Sequence, residues 1–454
     1  MPLLTAGAHV TDTGTTAPDA ARPSEKQIRK IVVAAYIGTA LEWYDFFLFG
    51  TTAALVFAPL FFPGDDPVLS TLSAFLAFAV GFVARPIGAV IFGHIGDRYG
   101  RRLALVVTIS LMGVATTAIG LLPTYVSAGI AAPLLLTVLR AVQGVATGGE
   151  WGGATLLAIE YAPPARRGLY ASFVQIGSPT GTLLSTAAVG LVSALPKEQF
   201  LAWGWRLPYL ASVVLVLVAL WLRWKIEETP AFRALAASHR TEKAPVVELF
   251  KAVPGRLVVG IATYLFSNAG FFIITTFMIS HATRVRELPT GLILKALTIG
   301  ALGQVVGLLV SGRLANRFGS PRTVVLGSAF AVLVAFPIFL AVDSGQAWLI
   351  TLGYVLTLGL ATIAYGPIGA MFSQLFPAKV QYSGLALSAN LSGVIAGFMP
   401  ALATWLLTRS GNASWGPATL LTIIALISLA GSIAAARIIA SDEREALAPA
   451  VRAR

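Results

Sequence analysis

Twelve runs of apolar residues constrain this chain more than any other feature. Most are long enough to cross about 30 Å of hydrocarbon at 1.5 Å per residue. The first six fall at roughly 30–52, 70–92, 103–122, 131–157, 169–194 and 207–224. The second six fall at roughly 257–281, 291–312, 323–342, 347–373, 383–408 and 416–438. Charged residues make up only 11% of the sequence, against about 25% in soluble proteins. A soluble core does not explain that pattern. The expected fold is an all-α membrane protein of twelve transmembrane helices in two six-helix bundles.

The polar stretches divide the chain. Residues 1–28 read as a disordered cytoplasmic N-terminus, too polar for a signal peptide. A first bundle is expected over 29–225, a cytoplasmic linker over 226–256, a second bundle over 257–440 and a cytoplasmic tail over 441–454. The net charge of +12 suits a nucleic-acid binder only if the cations share a face. They cluster instead in alternate loops. With both termini inside, 24 of the 32 Lys and Arg lie in inner segments, six lie outside, and Arg85 and Arg140 lie within spans. This positive-inside distribution implies a lipid bilayer, not a nucleic acid, as partner. The sequence has no cysteine, so disulfides and thiolate metal ligands are excluded.

The halves echo one another. Gly93 to Arg102 (GHIGDRYGRR) follows the second span, and Gly312 to Arg322 (GRLANRFGSPR) follows the eighth, with Gly, Arg and Gly in register. Two repeats of the same polarity predict a cavity between two bundles, opened to either side by rocking.

The Gly-x-x-x-Asp-Arg-x-Gly-Arg-Arg loop resembles the signature of the major facilitator superfamily. EWYDF in span one, RPIG at 85–88, RAVQGVATGGEWGG from Arg140, WGWR from Trp203 and EETPAF from Glu227 resemble, more narrowly, its metabolite:proton symporter family. The likeness covers nearly the whole chain. It implies the major facilitator fold and uptake of shikimate, 2-oxoglutarate, citrate, or proline and betaine. Asn316, Gln374 and Gln381 stand where that family often has charged residues, which neutralises much of the second-half inner latch. The tail lacks the long coiled coil typical of osmosensing proline/betaine porters.

Two acids, Glu42 and Asp45, stand inside span one, where an acid costs about 2.5–3.5 kcal/mol on insertion scales. Their three-residue spacing puts them on one helix face with Phe46 and Phe49, while Trp43 and Tyr44 point elsewhere. An acid that alternately loses and regains a cation can bind and release a proton; a static ion pair is the plainer reading. In span four, Arg140, Gln143, Gly144 and Thr147 form one stripe with Glu150 at its edge. Arg140 in Arg-x-x-Gln-Gly resembles the superfamily's fourth-helix motif, whose arginine pairs with a first-helix acid in sugar porters. That resemblance implies Asp45 and Arg140 as the proton-coupled pair, with Glu42 and Glu150 as further candidates. None of the second-half acids lies inside a span.

Substrate contacts are expected from Arg140, Gln143, Tyr44, Arg85, Trp151 and Gln175 in the first half. Tyr264, Asn268, Gln304, Tyr365 and Asn390 are the second-half candidates. Each of the uncharged ones suits an interhelical hydrogen bond equally well. Arg85 either meets a substrate carboxylate or braces span two against Glu150 or the loop acid. The inner gate is expected at Gly93, Asp97, Arg98, Gly100, Arg101 and Arg102, with Glu160 as partner after span four; the arginines serve topology alone on the other reading. No phosphate-binding loop, zinc spacing or catalytic triad appears. The expected protein is therefore not an enzyme, has no metal or catalytic residue, and uses no cofactor beyond the proton. It is read as a monomeric, multi-pass plasma-membrane symporter importing a small carboxylated metabolite. The alternatives are a zwitterionic osmolyte symporter and a proton antiporter exporting small organic compounds.

Overall fold

A computed structural model of the chain describes residues 25–99, 101–148, 167–224, 253–377 and 380–452. Among the described residues the chain is helical, without strands. In hydrocarbon every backbone donor and acceptor needs a partner within the protein, and the helix supplies it locally.

The first-half spans are α1 (Glu25–Thr52), α2 (Pro67–Tyr99), α3 (Arg101–Gly120), α4 (Ala131–Gly148), α5 (Arg167–Gln175 continued by Gly177–Ser193) and α6 (Arg206–Trp224). The second-half spans are α7 (Pro254–Leu265, continued by wide π-helical turns to Val285), α8 (Thr290–Phe318), α9 (Ser320–Ala335 with Pro337–Asp343), α10 (Ala347–Tyr365 with Ile368–Leu375), α11 (Gln381–Arg409) and α12 (Trp415–Arg452). Nine of the helical segments are individually long and apolar enough to cross a membrane among the described residues. In addition, α6 and the turn before it form a pair bent by 44°. Large apolar side chains such as Val114, Leu191, Val258 and Leu333 point outward, as a lipid-facing surface requires.

The repeat seen in the sequence reappears in the packing. In the first half α1 packs on α5, α2 on α4 and α3 on α6; in the second, α7 packs on α11, α8 on α10 and α9 on α12. The halves meet along two symmetric contacts, α2 with α11 and α5 with α8. Backbones come very close along α2 and α4. A Cβ on Gly144 would strike the Gly81 carbonyl, one on Gly88 the Val145 carbonyl, and one on Gly148 the Arg85 carbonyl.

Two expected loops are shorter than the motif suggested. Gly93 to Tyr99 belong to α2, and Arg101 and Arg102 already belong to α3. In the second half α8 runs through Phe318, and Gly319 alone turns the chain with φ of 87°. A side chain there would be strained. The expected N-terminal lead and linker lie outside the described residues apart from their edges.

Candidate proton and substrate site

Asp45 sits buried in α1 against α3 and α4. Its Oδ1 accepts from Thr116 Oγ1 at 2.5 Å and from Gln143 Nε2 at 2.8 Å. Its Oδ2 lies 3.9 Å from Arg140 Nη1 and has no hydrogen-bond partner. Gln143 closes the relay, accepting from Arg140 Nη1 at 3.1 Å through Oε1. The pair is thus bridged rather than fused, and one oxygen can take a proton without breaking a hydrogen bond.

Arg140 itself is fully buried. Its guanidinium lies over Phe46 at 4.5 Å, Phe49 at 4.4 Å and Phe78 at 5.0 Å. Desolvated cation–π contacts are worth about 2 kcal/mol, which helps hold a cation away from water. Gly81 makes the room: a Cβ there would lie 2.5 Å from Arg140 Nε.

The second acid has its own arginine. Arg85 Nη2 donates to Glu42 Oε1 at 2.7 Å, and its guanidinium lies over Phe46 at 4.3 Å and Phe82 at 5.0 Å. Arg85 therefore braces α2 against α1, while Glu150 and the side chain of the loop acid lie outside the described residues. It is 12% exposed, whereas Arg140 shows no exposure, so Arg85 reaches the seam between the halves.

A small cavity opens at that seam. Its lining includes Trp43 and Ser178 from the first half and Phe271, Gln304, Thr362 and Tyr365 from the second. Tyr264 lies behind Tyr365, their ring centroids 6.1 Å apart. Asn268 Nδ2 donates to the Ala389 carbonyl and to Ser392 Oγ, both at 3.3 Å. Gln175 is buried and Asn390 half-buried, and neither lines the cavity.

Several expectations need correction. Tyr44, expected at the substrate, donates instead to the Pro208 carbonyl at 2.8 Å, because its place on α1 faces α6. Trp43 points away from the acids, as expected, but that direction is the cavity. Gln143 has both ends of its amide engaged in the Asp45–Arg140 relay. Thr116 joins the site with no sequence signal beyond a threonine inside an apolar span. Glu150, Trp151, Glu160 and Gly100 lie outside the described residues. So do the side chains of Asp97, Arg98, Arg101 and Arg102, and the surroundings of Gly93, so the expected inner gate has no described contacts.

The opposite end carries a latch that was not expected. Arg284, at the end of α7, donates to the Ala54 carbonyl at 2.8 and 3.1 Å and to Thr71 Oγ1 at 2.9 Å. Ala54 belongs to a π-helical turn that extends α1. A second-half cation thus ties two first-half helices together at the end away from the Asp97 motif.

Comparison with known proteins bears on the family and the fold. A family model described as Major Facilitator Superfamily matches residues 35–397. The shikimate transporter of Escherichia coli K12 is 40% identical over 87% of this chain and 92% of its own. The inner membrane metabolite transport protein YhjE of the same strain is 39% identical over 85% and 90%. A glycine betaine/proline/ectoine/pipecolic acid transporter, OusA of Dickeya dadantii, is 38% identical over 89% and 82%. Among solved structures, a partially occluded inward-open xylose transporter, XylE of E. coli, aligns with a TM-score of 0.70 at 17% identity, covering 90% of this chain and 97% of that one. At that identity the likeness speaks for the fold alone.

Proposed function

The chain belongs to the major facilitator superfamily, among its metabolite transporters rather than any enzyme family, and on that premise we propose that it is a proton-coupled symporter importing a small carboxylated metabolite. The Asp45–Gln143–Arg140 relay carries this reading. A proton arriving at Asp45 Oδ2 neutralises the carboxylate and leaves Arg140 an unbalanced cation in a low-dielectric core. Breaking a buried pair in this way costs about 3–5 kcal/mol. An organic anion in the adjoining seam restores the balance, so proton and anion cross together. Both sides of the cavity come from one chain, which supports a monomer as the working unit. The cation distribution supports cytoplasmic termini in a plasma membrane.

Uptake of labelled organic acids into proteoliposomes, with and without an imposed proton gradient, tests the proposal. Gradient-driven accumulation of a carboxylate is expected; no uptake of any carboxylate would sink it. A zwitterionic osmolyte is the second reading, favoured by the aromatic lining of Trp43, Phe271 and Tyr365, whose faces suit a quaternary ammonium group. Competition by glycine betaine separates the two.

A further inference from the structure

Arg85 uses only part of its guanidinium on Glu42. Nη2 makes the 2.7 Å contact, while Nε is buried without a hydrogen-bond partner. Directly across the seam stands Gly393 of α11. A Cβ at that position would lie 4.0 Å from Arg85 Nη1 and 4.0 Å from Asn268 Nδ2, and 3.6 Å from Phe82. The missing side chain leaves the Arg85 guanidinium facing space beside an aromatic ring, with the Asn268 amide, whose two N–H groups go to Ala389 and Ser392, on the far side. A planar cation with N–H groups beyond those given to its resident acid is the chemistry that recognises a carboxylate.

We propose that Arg85 and the space beside Gly393 form an anion subsite whose resting occupant is Glu42. The substrate carboxylate takes the Arg85 guanidinium, and Glu42 gives up its ion pair and binds a proton from the open side. When the substrate leaves on the other side, Glu42 returns to Arg85 and releases that proton. Each turnover then moves two protons, one on Asp45 and one on Glu42, so a monocarboxylate crosses with one net positive charge. Among the described residues, the other groups facing this pair include the hydroxyls of Tyr264 and Tyr365, from α7 and α10, and the charge of Arg140. A tyrosine has an ordinary pKa of about 10, so neither hydroxyl competes as a carrier near neutral pH. The inference rests on the symport reading.

The test uses labelled shikimate, benzoate and proline in proteoliposomes. For the wild type, accumulation of a monocarboxylate should rise about a hundredfold per pH unit, the square of the tenfold expected for one proton. An inside-negative potential of about 59 mV, which is tenfold for one charge, should add about another tenfold. In Glu42→Gln the pH dependence should fall to about tenfold, the potential dependence should vanish, and the KM should drop. Gly393→Ala should raise KM severalfold and leave both dependences as in the wild type. No uptake of any probe by the wild type ends the symport reading, and the subsite with it. The subsite alone is overturned if the wild type accumulates only tenfold per pH unit, a result that stands even where Glu42→Gln does not insert. It is equally overturned if Glu42→Gln keeps the wild-type dependences, or if Gly393→Ala leaves KM unchanged.

Discussion

The two acid–arginine pairs of the first half have the same chemistry and opposite settings. Asp45 and Arg140 stand 3.9 Å apart, bridged by Gln143, steadied by Thr116, and closed off from the seam. Glu42 and Arg85 touch directly at 2.7 Å, with the arginine partly open toward the other half. What surrounds a pair, more than the pair itself, decides what it can exchange. A sealed pair with an open carboxylate oxygen can trade a proton. A pair whose cation reaches the seam can trade its anion.

Several substitutions would break that contrast if it is wrong. The largest effect belongs to Asp45→Asn, which should abolish proton-driven accumulation while sparing exchange of labelled for unlabelled substrate; surviving accumulation would move the proton elsewhere. Next come the two conservative changes of the arginines. Arg140→Lys forfeits the planar cation stacked among three rings and bonded to Gln143, and should cut the transport rate about a hundredfold or more, on the order of 3 kcal/mol. Arg85→Lys keeps a charge at the seam and should mainly raise KM. Equal losses in both would erase the distinction. Gly81→Ala pushes a methyl against Arg140, and overpacking of about 1–3 kcal/mol should slow transport at least fivefold, with KM little changed. The smallest effect is expected from Arg284→Gln, remote from both pairs. Because the chain has no cysteine, a single cysteine placed at Ser267 reports on the cavity. Loss of the latch should speed its labelling from outside about fivefold, roughly 1 kcal/mol, and leave proton coupling intact.

Much of this molecule was legible in the sequence, because hydrocarbon enforces its own grammar. The apolar runs marked the spans, and GHIGDRYGRR against GRLANRFGSPR marked the repeat. The Asp45–Arg140 pairing came through the resemblance, since spacing along a chain says nothing of which helices meet. For the same reason the partner of Arg85 was missed: Glu42 is 43 residues away and becomes its neighbour only when α1 and α2 pack. Trp43 shows a subtler limit. Helical spacing put it off the acid face correctly, but α1 lies between its own bundle and the other half, so both of its faces border functional space. Tyr44 and Asp45 are adjacent, yet one turns to α6 and the other to α3 and α4. Thr116 carried too little signal, since a hydroxyl within a span most often bonds its own helix, as Thr116 also does through the Met112 carbonyl.

The tight glycine contact between α2 and α4 bears on how the two pairs sense each other. Arg85 rides on one of these helices and Arg140 on the other, and Gly148 rests on the very carbonyl of Arg85. Helices in backbone contact move as one body, so rocking of the halves leaves the spacing of the two cations constant. Their mutual repulsion through a low-dielectric interior is then the same facing in as facing out. What alternates on the Arg85 side is the environment across the α2–α11 seam. On the proposed symport, the protein changes which side it serves without retuning the repulsion between its two cations.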